Sequence, residues 1–255
     1  MLVVVKAYPN PSGKYFESSC VAGIRTDTET PAWVRLYPVP FRMLESNKQF
    51  KKYQFLSLQA KRGSDTRPES LRPNNDTLTP GDWLDSSKAW SKRKAFVEPL
   101  VVESMCEIQR RREVDRTSLG AFRPAAVTDF YWEPADATTT ENKQLLASRQ
   151  NLFAQDAAPL EILPYRFKYK FKCSNPTCRG GHDMTIVDWE VGQAFRRFRR
   201  LYGEIEGLAK MRSKFLDEMC GSGKDTIFFA GNTFLNQNVF LILGVFWPPR
   251  TATGE

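Results

Sequence analysis

Short apolar runs separated by polar turns dominate the first quarter of the chain. Four of these runs have the length of strands and are bounded by residues that favour turns. They occupy residues 2–7, 15–24, 33–39 and 53–61. Four short strands at this spacing are typical of a small sheet or barrel. The polar residues 62–82 that follow predict a long loop.

The pattern becomes helical after residue 85. Residues 86–114 predict a helix that begins at Ser86 or Ser87. Pro99 should split it, because proline has no N–H for the helical hydrogen bond and its ring clashes with the preceding turn.

Strands and helices alternate in the second half. Residues 127–133 predict a strand, and the polar residues 134–144 predict a linker that leads into a helix ending near residue 155. The remaining predicted elements are a strand over 163–172, helices over 185–202 and 204–219, and closing strands over 225–231 and 238–247.

The amino-acid composition indicates a packed core and a net positive charge. The 255 residues are 41% hydrophobic and include eighteen Phe and six Trp, which is enough apolar material for a packed core. The net charge of +8 favours anionic partners such as nucleic acid. No run is long enough to span a membrane, no leader is visible, and the five cysteines cannot all pair. We therefore expect a cytoplasmic protein with reduced thiols or a metal site.

Residues 165–183 contain the most informative pattern, YRFKYKFKCSNPTCRGGHD. Because side chains alternate between the faces of a strand, the aromatic residues share one face and the cations share the other. One interpretation is an ordinary amphipathic strand, and the other is a strand whose cations follow a phosphate backbone. The two are compatible if the aromatic residues pack inward. The cations are Arg166, Lys168, Lys170 and Lys172.

A metal-binding pattern follows this strand. Cys173, Cys178 and His182 form a Cys-x4-Cys-x3-His sequence, with Pro and Gly supplying the bends. Zinc prefers thiolate and imidazole ligands in a tetrahedron, so a structural zinc ion would need a fourth ligand. Cys220 is our choice, and Asp183 is the weaker one. The alternatives are two buried thiols with a surface histidine, or a catalytic zinc with an open position and Glu190 as base.

An arginine-rich helix adds a second group of cations. In FRRFRR the phenylalanines continue an apolar stripe, and the arginines lie mostly off it. Glu204 could reach Arg200 at i,i+4 spacing, but the other three arginines have no such partner. Residues 163–214 contain twelve Lys or Arg against five acids, an excess of +7, which indicates a nucleic-acid footprint. The helix contributes Arg196, Arg197, Arg199 and Arg200.

A second phosphate site is predicted near residue 118. The turn Ser-Leu-Gly follows a run of arginines, and its backbone amides could hold a phosphate together with nearby side chains. The alternative is a helix C-terminus whose arginines interact favourably with the negative end of the helix dipole. The candidate residues are Arg112, Arg116, Ser118 and Arg123.

Catalytic candidates are few. Asp65 and Glu69 lie among arginines in the 62–72 loop and could form an acid/base or metal site, although a solvated, salt-linked loop is the simpler interpretation. The stretch GSGKDT lacks the residues of a phosphate-binding loop, which excludes that motif. With one histidine, a Ser-His or Cys-His nucleophile is poorly supported. The sequence leaves open whether the protein is an enzyme.

The first 60 residues resemble a family of uncharacterised prokaryotic proteins with dual OB-fold domains. The resemblance depends on Cys20, Ala22 and Gly23 in one strand and on Trp33 and Arg35 in the next. It implies a β-barrel that binds nucleic acid, in a family associated with defence against mobile elements. The zinc pattern is not part of this resemblance.

The resulting expectation is an α+β protein with two domains. Residues 1–134 would form a small OB-like β-barrel with a basic helix, and residues 145–255 an α+β module stapled by structural zinc. Its function would be to bind nucleic acid, with DNA favoured over RNA, through phosphate contacts and with a role in antiviral defence. A nucleic-acid-processing enzyme that uses Asp65, Glu69 or Glu190 is the alternative, and a subunit that binds an acidic protein is the third hypothesis.

Overall fold

The structure, a computed structural model, describes residues 1–12, 16–151 and 160–250. It is a mixed α+β fold with three antiparallel or mixed sheets. The first sheet holds eight strands, in the order β6-β7-β4-β3-β1-β5-β8, with β2 paired to β3. Its strands are β1 (Leu2–Lys6), β2 (Asn10–Ser12), β3 (Phe16–Ile24), β4 (Trp33–Val39), β5 (Gln54–Ser57), β6 (Ala60–Lys61), β7 (Ser70–Pro73) and β8 (Thr79–Trp83).

This first sheet curls but stays open, because the path of paired strands ends at β6 on one side and at β8 on the other. The closed OB-like barrel expected from the sequence is therefore not confirmed. Strand β7 and all but the last residue of β8 lie within residues 62–82, where a loop was predicted. That prediction failed because both strands are short and polar, and their pairing with β4 and β5 depends on partners far away in the sequence.

Two smaller sheets form the rest of the fold. Four strands in the order β15-β14-β10-β9 make the second sheet, and three in the order β11-β12-β13 make the third. The strands of the second sheet are β9 (Val101–Val102), β10 (Leu119–Phe122), β14 (Ile227–Asn232) and β15 (Phe240–Phe246). Those of the third sheet are β11 (Ala126–Pro134), β12 (Tyr165–Lys172) and β13 (His182–Thr185).

Four α-helices are described: α1 (Ser87–Val97), α2 (Met105–Asp115), α3 (Ala137–Asn151) and α4 (Trp189–Arg212). The long predicted helix is split near Pro99, as expected. Helix α4 is interrupted at Gly203, where φ is 78°, a conformation that glycine adopts without a steric penalty. The helix continues at its C-terminal end as a π-helical segment over Ser213–Glu218. The two predicted helices therefore correspond to the helical segments on either side of Gly203.

Helix α3 occupies most of the predicted linker. Residues 137–144 lack large apolar side chains, which suggested a linker, but Asp136 accepts a hydrogen bond from the Thr139 amide at 2.7 Å and begins the helix. The remainder of the helix predicted to end near residue 155 lies partly outside the described residues.

A shared core joins the sheets. Phe167, Tyr169 and Phe171 of β12 are buried and pack against α4 and β14. A second group of buried side chains joins the first sheet to the second, as where the Trp33 ring meets Phe229 at 5.9 Å. Strand β10, which lies in the first predicted domain, pairs with β14 of the second. The division at residues 134 and 145 stays a prediction.

None of the described helices is both long and apolar enough to cross a bilayer.

Candidate metal centre and cationic surfaces

Three thiols and the imidazole converge at one end of the third sheet. The ligand atoms of Cys106, Cys173, Cys178 and His182 all lie within 4.8 Å of one another. Nε2 of His182 is 3.6 Å from the sulfur of Cys106 and 3.5 Å from that of Cys178. All of these cysteines are free thiols. The arrangement could bind a metal ion.

Local sequence builds the loop between Cys173 and His182. The Asn175 carboxamide accepts hydrogen bonds from the backbone and hydroxyl of Thr177, and the Cys178 amide donates to the Asn175 carbonyl at 3.0 Å. Gly180 and Gly181 both have positive φ, 85° and 76°. A Cβ on Gly181 would lie 2.6 Å from the Phe171 carbonyl oxygen, so this close approach requires glycine.

The third thiol, that of Cys106, comes from a different element. Cys106 lies in the first turn of α2, where Ser104 caps the helix by accepting a hydrogen bond from the Glu107 amide at 3.1 Å. Ser174 also donates to the Glu103 carbonyl at 2.5 Å, which ties the ligand loop to the start of α2.

The electrostatics of the cluster suit a cation. Burial alone would raise the pKa of Cys173, but hydrogen bonds from the Cys106 and Asn175 backbones and from His182 lower it to about 6. Burial raises the pKa of Cys106 to about 12, and the neighbouring sulfurs add to this. Three thiols at this distance cannot all ionise without a positive charge between them. A bound metal ion would supply that charge.

Cys220, which was chosen from the sequence as the fourth ligand, is not in this cluster. Its thiol donates to the Phe215 carbonyl at 3.3 Å, and burial raises its pKa to about 12. Asp183, the weaker choice, instead accepts from the Tyr131 hydroxyl at 2.6 Å and pairs with Lys168 at 3.2 Å. Cys106 was missed because it is 67 residues from Cys173, and only the fold of α2 onto the third sheet brings it close.

The strand cations project from the outer side of the third sheet, as the alternation predicted. We call this the cationic sheet face; it consists of Arg166, Lys168, Lys170 and Lys172. Lys168 contacts Glu133 at 3.5 Å and Asp183 at 3.2 Å, and Arg166 contacts Glu133 at 3.5 Å. Lys170 lies over the Tyr131 ring at 4.6 Å. The face therefore keeps a positive excess, with an aromatic ring between its lysines.

The arginines of α4 have mixed environments. Arg196 stacks on the Trp189 ring at 5.1 Å, and Arg199 pairs with Glu161. Arg197 and Arg200 are exposed and make no ion pair within the described part of the chain. Glu204, expected to pair with Arg200, instead accepts a hydrogen bond from the Tyr165 hydroxyl.

The two groups of cations lie on opposite sides. Phe195 of α4 packs on the aromatic face of β12, with its ring centroid 5.5 Å from that of Phe167. The lysines project from the other face of the same strand. The strand lysines and the helix arginines therefore do not form the single continuous patch expected from their concentration in the sequence.

In the predicted phosphate site near residue 118, Ser118 and Arg123 already bind other side chains of the protein. Ser118 is fully buried; its hydroxyl accepts from Arg35 at 2.7 Å and donates to Glu69 at 2.6 Å. Arg123 pairs with Glu98 and Asp225 at 2.6 and 2.8 Å. Arg116 ends α2 in the left-handed region, and Arg112 lies in the last turn of that helix. These two arginines therefore lie at a helix C-terminus, which is the alternative interpretation that the sequence offered.

The three carboxylates considered for catalysis each have a different partner. Asp65 pairs with Arg67 at 2.6 Å, which lowers its pKa against the effect of burial. Glu69 accepts from the Ser118 amide at 2.9 Å, and Glu190 pairs with Lys52 at 3.0 Å. Each carboxylate is thus held by a structural partner.

The fold and the cluster define an α+β protein with a candidate metal centre of three cysteines and one histidine. Residues 101–255 match a domain of unknown function (DUF8757), and residues 1–99 match a second one (DUF8758). The first match covers more than half of the chain, so the protein belongs to the DUF8757 family. No curated protein and no solved structure matches it.

Proposed function

We propose that the protein binds nucleic acid through the cationic sheet face and that a zinc ion holds this face in place. One observation carries the proposal: Lys170, Lys172 and Arg179 are exposed, and none of them has a carboxylate partner within the described ranges. Unpaired cations of one sign on one surface repel each other, and a polyanion relieves that repulsion.

The position of these cations relative to the metal ligands supports the proposal. Lys172 directly precedes Cys173, and Arg179 directly follows Cys178. A metal ion that fixes the two cysteines therefore also fixes the backbone from which the two cations extend. Tyr131 lies between Lys168 and Lys170, so a base that stacks there would have cations beside it.

The donor set favours zinc. Three sulfurs and one imidazole nitrogen are typical ligands of tetrahedral structural zinc. With bond lengths of about 2.3 Å to sulfur and about 2.0 Å to nitrogen, a tetrahedron has sulfur–nitrogen edges of about 3.5 Å. The separations of 3.6 and 3.5 Å from His182 Nε2 to Cys106 and Cys178 agree with such edges. All four positions are protein ligands, so this zinc would be structural and would join α2 to β12 and β13.

The experiment compares two pairs of neutralised cations. The variant Lys170→Gln/Lys172→Gln removes two charges from the cationic sheet face, and Arg197→Gln/Arg200→Gln removes two from α4 on the opposite side. Binding to single- and double-stranded DNA and RNA is measured by fluorescence anisotropy between about 50 and 200 mM salt.

We expect the lysine variant to weaken binding and to reduce the slope of log K against log salt by roughly 1.4 to 1.8, because two phosphate contacts are lost. The arginine variant should change the slope little. If the arginine variant weakens binding more than the lysine variant does, the nucleic-acid interface lies on α4 instead. If no nucleic acid binds, or if binding does not depend on salt, the proposal is rejected. The four nucleic acids also test the preference for DNA over RNA, which stays a prediction, as do the OB-like barrel and a role in antiviral defence.

A further inference from the structure

A cavity of about 990 Å³ lies between the first sheet and the elements that follow residue 134. Its walls come from β2, β3, β4 and β7 on one side and from α3, the start of β12 and the β14–β15 hairpin on the other. The volume is at the upper end of the range typical of small-molecule sites. Neither the metal ligands nor the exposed lysines of the cationic sheet face line it.

The cavity wall is largely apolar and aromatic. Aliphatic side chains such as Leu71, Leu163 and Leu243 line it together with the rings of Tyr8, Tyr37 and Phe234. Tyr37 and Phe234 keep 44% and 57% of their surface exposed, although both lie beside this space. Large exposed rings beside a cavity can bind the body of an apolar or aromatic ligand.

Positive side chains outnumber negative ones around the cavity. Five cations (Arg35, Arg67, Arg72, Lys143 and Arg166) face three acids (Asp65, Asp136 and Asp188). Ion pairs engage two of the acids, Asp65 with Arg67 at 2.6 Å and Asp188 with Lys52 at 2.8 Å. They also engage two of the cations, because Arg67 pairs with Asp65 and Arg166 contacts Glu133 at 3.5 Å. Asp136 is exposed at the start of α3 and accepts a backbone N–H there.

Lys143 is the cation without a visible role. It is half-buried on the cavity side of α3, and no carboxylate of the described residues pairs with it. Burial lowers its pKa. A half-buried ammonium without a counter-ion is costly, and an anion bound in the cavity would compensate it. Arg72, at the edge of the cavity, is likewise without an ion pair in the described ranges.

We infer that the cavity binds a small amphipathic anion, an aromatic or aliphatic body that carries one carboxylate or phosphate, and that Lys143 contacts the anionic group. The rings of Tyr37 and Phe234 hold the body at the mouth of the cavity. Arg166 belongs to both the cavity lining and the cationic sheet face, but Lys143 lines only the cavity, and Lys170 and Lys172 do not line it. Variants at these lysines therefore test the two sites independently.

Three probes with one aromatic body test this inference: 2-naphthoate, 2-naphthyl phosphate and the neutral 2-naphthamide. Binding to the full chain is measured by isothermal titration calorimetry at up to about 1 mM probe. The two anions distinguish a carboxylate ligand from a phosphate ligand. We expect at least one of them to bind about tenfold or more tightly than the amide, because a charge-assisted hydrogen bond contributes about 1.5 to 3 kcal/mol.

Lys143→Met should remove the preference for the anion, while Lys92→Met, a change of the same kind at an exposed position on α1, should preserve it. Thr140→Trp places a large side chain on the cavity side of α3 and should weaken all three probes, which provides a second test if Lys143→Met does not fold. Failure of all three probes to bind saturably, equal affinity for the amide and both anions, or an unchanged preference in Lys143→Met would overturn the inference.

Discussion

The ammonium of Lys52 lies 2.8 Å from Oδ2 of Asp188, and both side chains are buried. The first residue belongs to the region that matches DUF8758 and the second to the DUF8757 region. Asp188 also accepts the Glu190 amide through Oδ1 at 3.1 Å, so the same carboxylate caps α4. One buried ion pair thus ties the first sheet to the start of the long helix.

Loss of one partner should therefore be costly. Lys52→Met leaves Asp188 buried without its cation, and we expect the free energy of unfolding to fall by about 3 to 5 kcal/mol. The double variant Lys52→Met/Asp188→Asn should cost less than the sum of the single variants. Urea unfolding measures all of these values. Lys214→Met, which breaks the exposed pair with Glu218, is the matched control and should cost less than about 1 kcal/mol. Equal costs at Lys52 and Lys214 would contradict the interpretation.

Lys6 should make stability depend on pH. Burial, followed by the positive charge of Lys52, lowers the pKa of Lys6 from 10.5 to about 8, while Glu190 and Asp188 oppose the shift. Between these two pH values the unfolded chain holds a proton that the folded chain has released, so this residue adds stability as the pH rises. The wild type should gain roughly 2 kcal/mol relative to Lys6→Met between pH 8 and pH 10. Urea unfolding across this range checks the difference, and a constant difference would exclude the effect.

Gly180 and Gly181 offer a matched pair in the ligand loop. Both have positive φ, so alanine at either position should cost about 1 to 2 kcal/mol. Only at Gly181 would the new Cβ also meet backbone, at 2.6 Å from the Phe171 carbonyl oxygen, whereas Gly180 has open space. Gly181→Ala should therefore lower both the thermal midpoint and the metal affinity by more than Gly180→Ala. Equal effects would show that the loop relaxes without disturbing the ligands.

Metal analysis should distinguish the role of Cys106 from that of Cys220. If the proposed zinc is bound, elemental analysis should give one zinc per chain, and a chelator should lower the thermal midpoint because the metal would join α2 to the third sheet. Cys106→Ser should lose the metal, since it removes a ligand of the cluster. Cys220→Ser is the control, because this thiol bonds to the Phe215 carbonyl instead. Retention of metal by Cys106→Ser together with its loss from Cys220→Ser would restore the ligand set expected from the sequence.

Local patterns predicted the elements whose signal is contained in a few neighbouring residues. The alternation of residues 165–172 predicted both the strand and which face is buried, because side-chain direction follows directly from strand geometry. The split near Pro99 followed from the chemistry of proline. Polar strands such as β7 and the helix after Asp136 were missed, since distant pairing or a single cap decides them.

The sequence by itself determined three of the four clustered donors, Cys173, Cys178 and His182, because a short loop with two glycines brings them together. Only the tertiary structure decided the fourth, since packing of α2 on the third sheet places Cys106 beside them. The charge excess was likewise visible in the sequence, but its division into two surfaces was not. The strand lysines and the α4 arginines are close in the sequence, but they lie on opposite sides of the third sheet. The cavity forms only where segments that are distant in the sequence pack together, so no single segment predicts it.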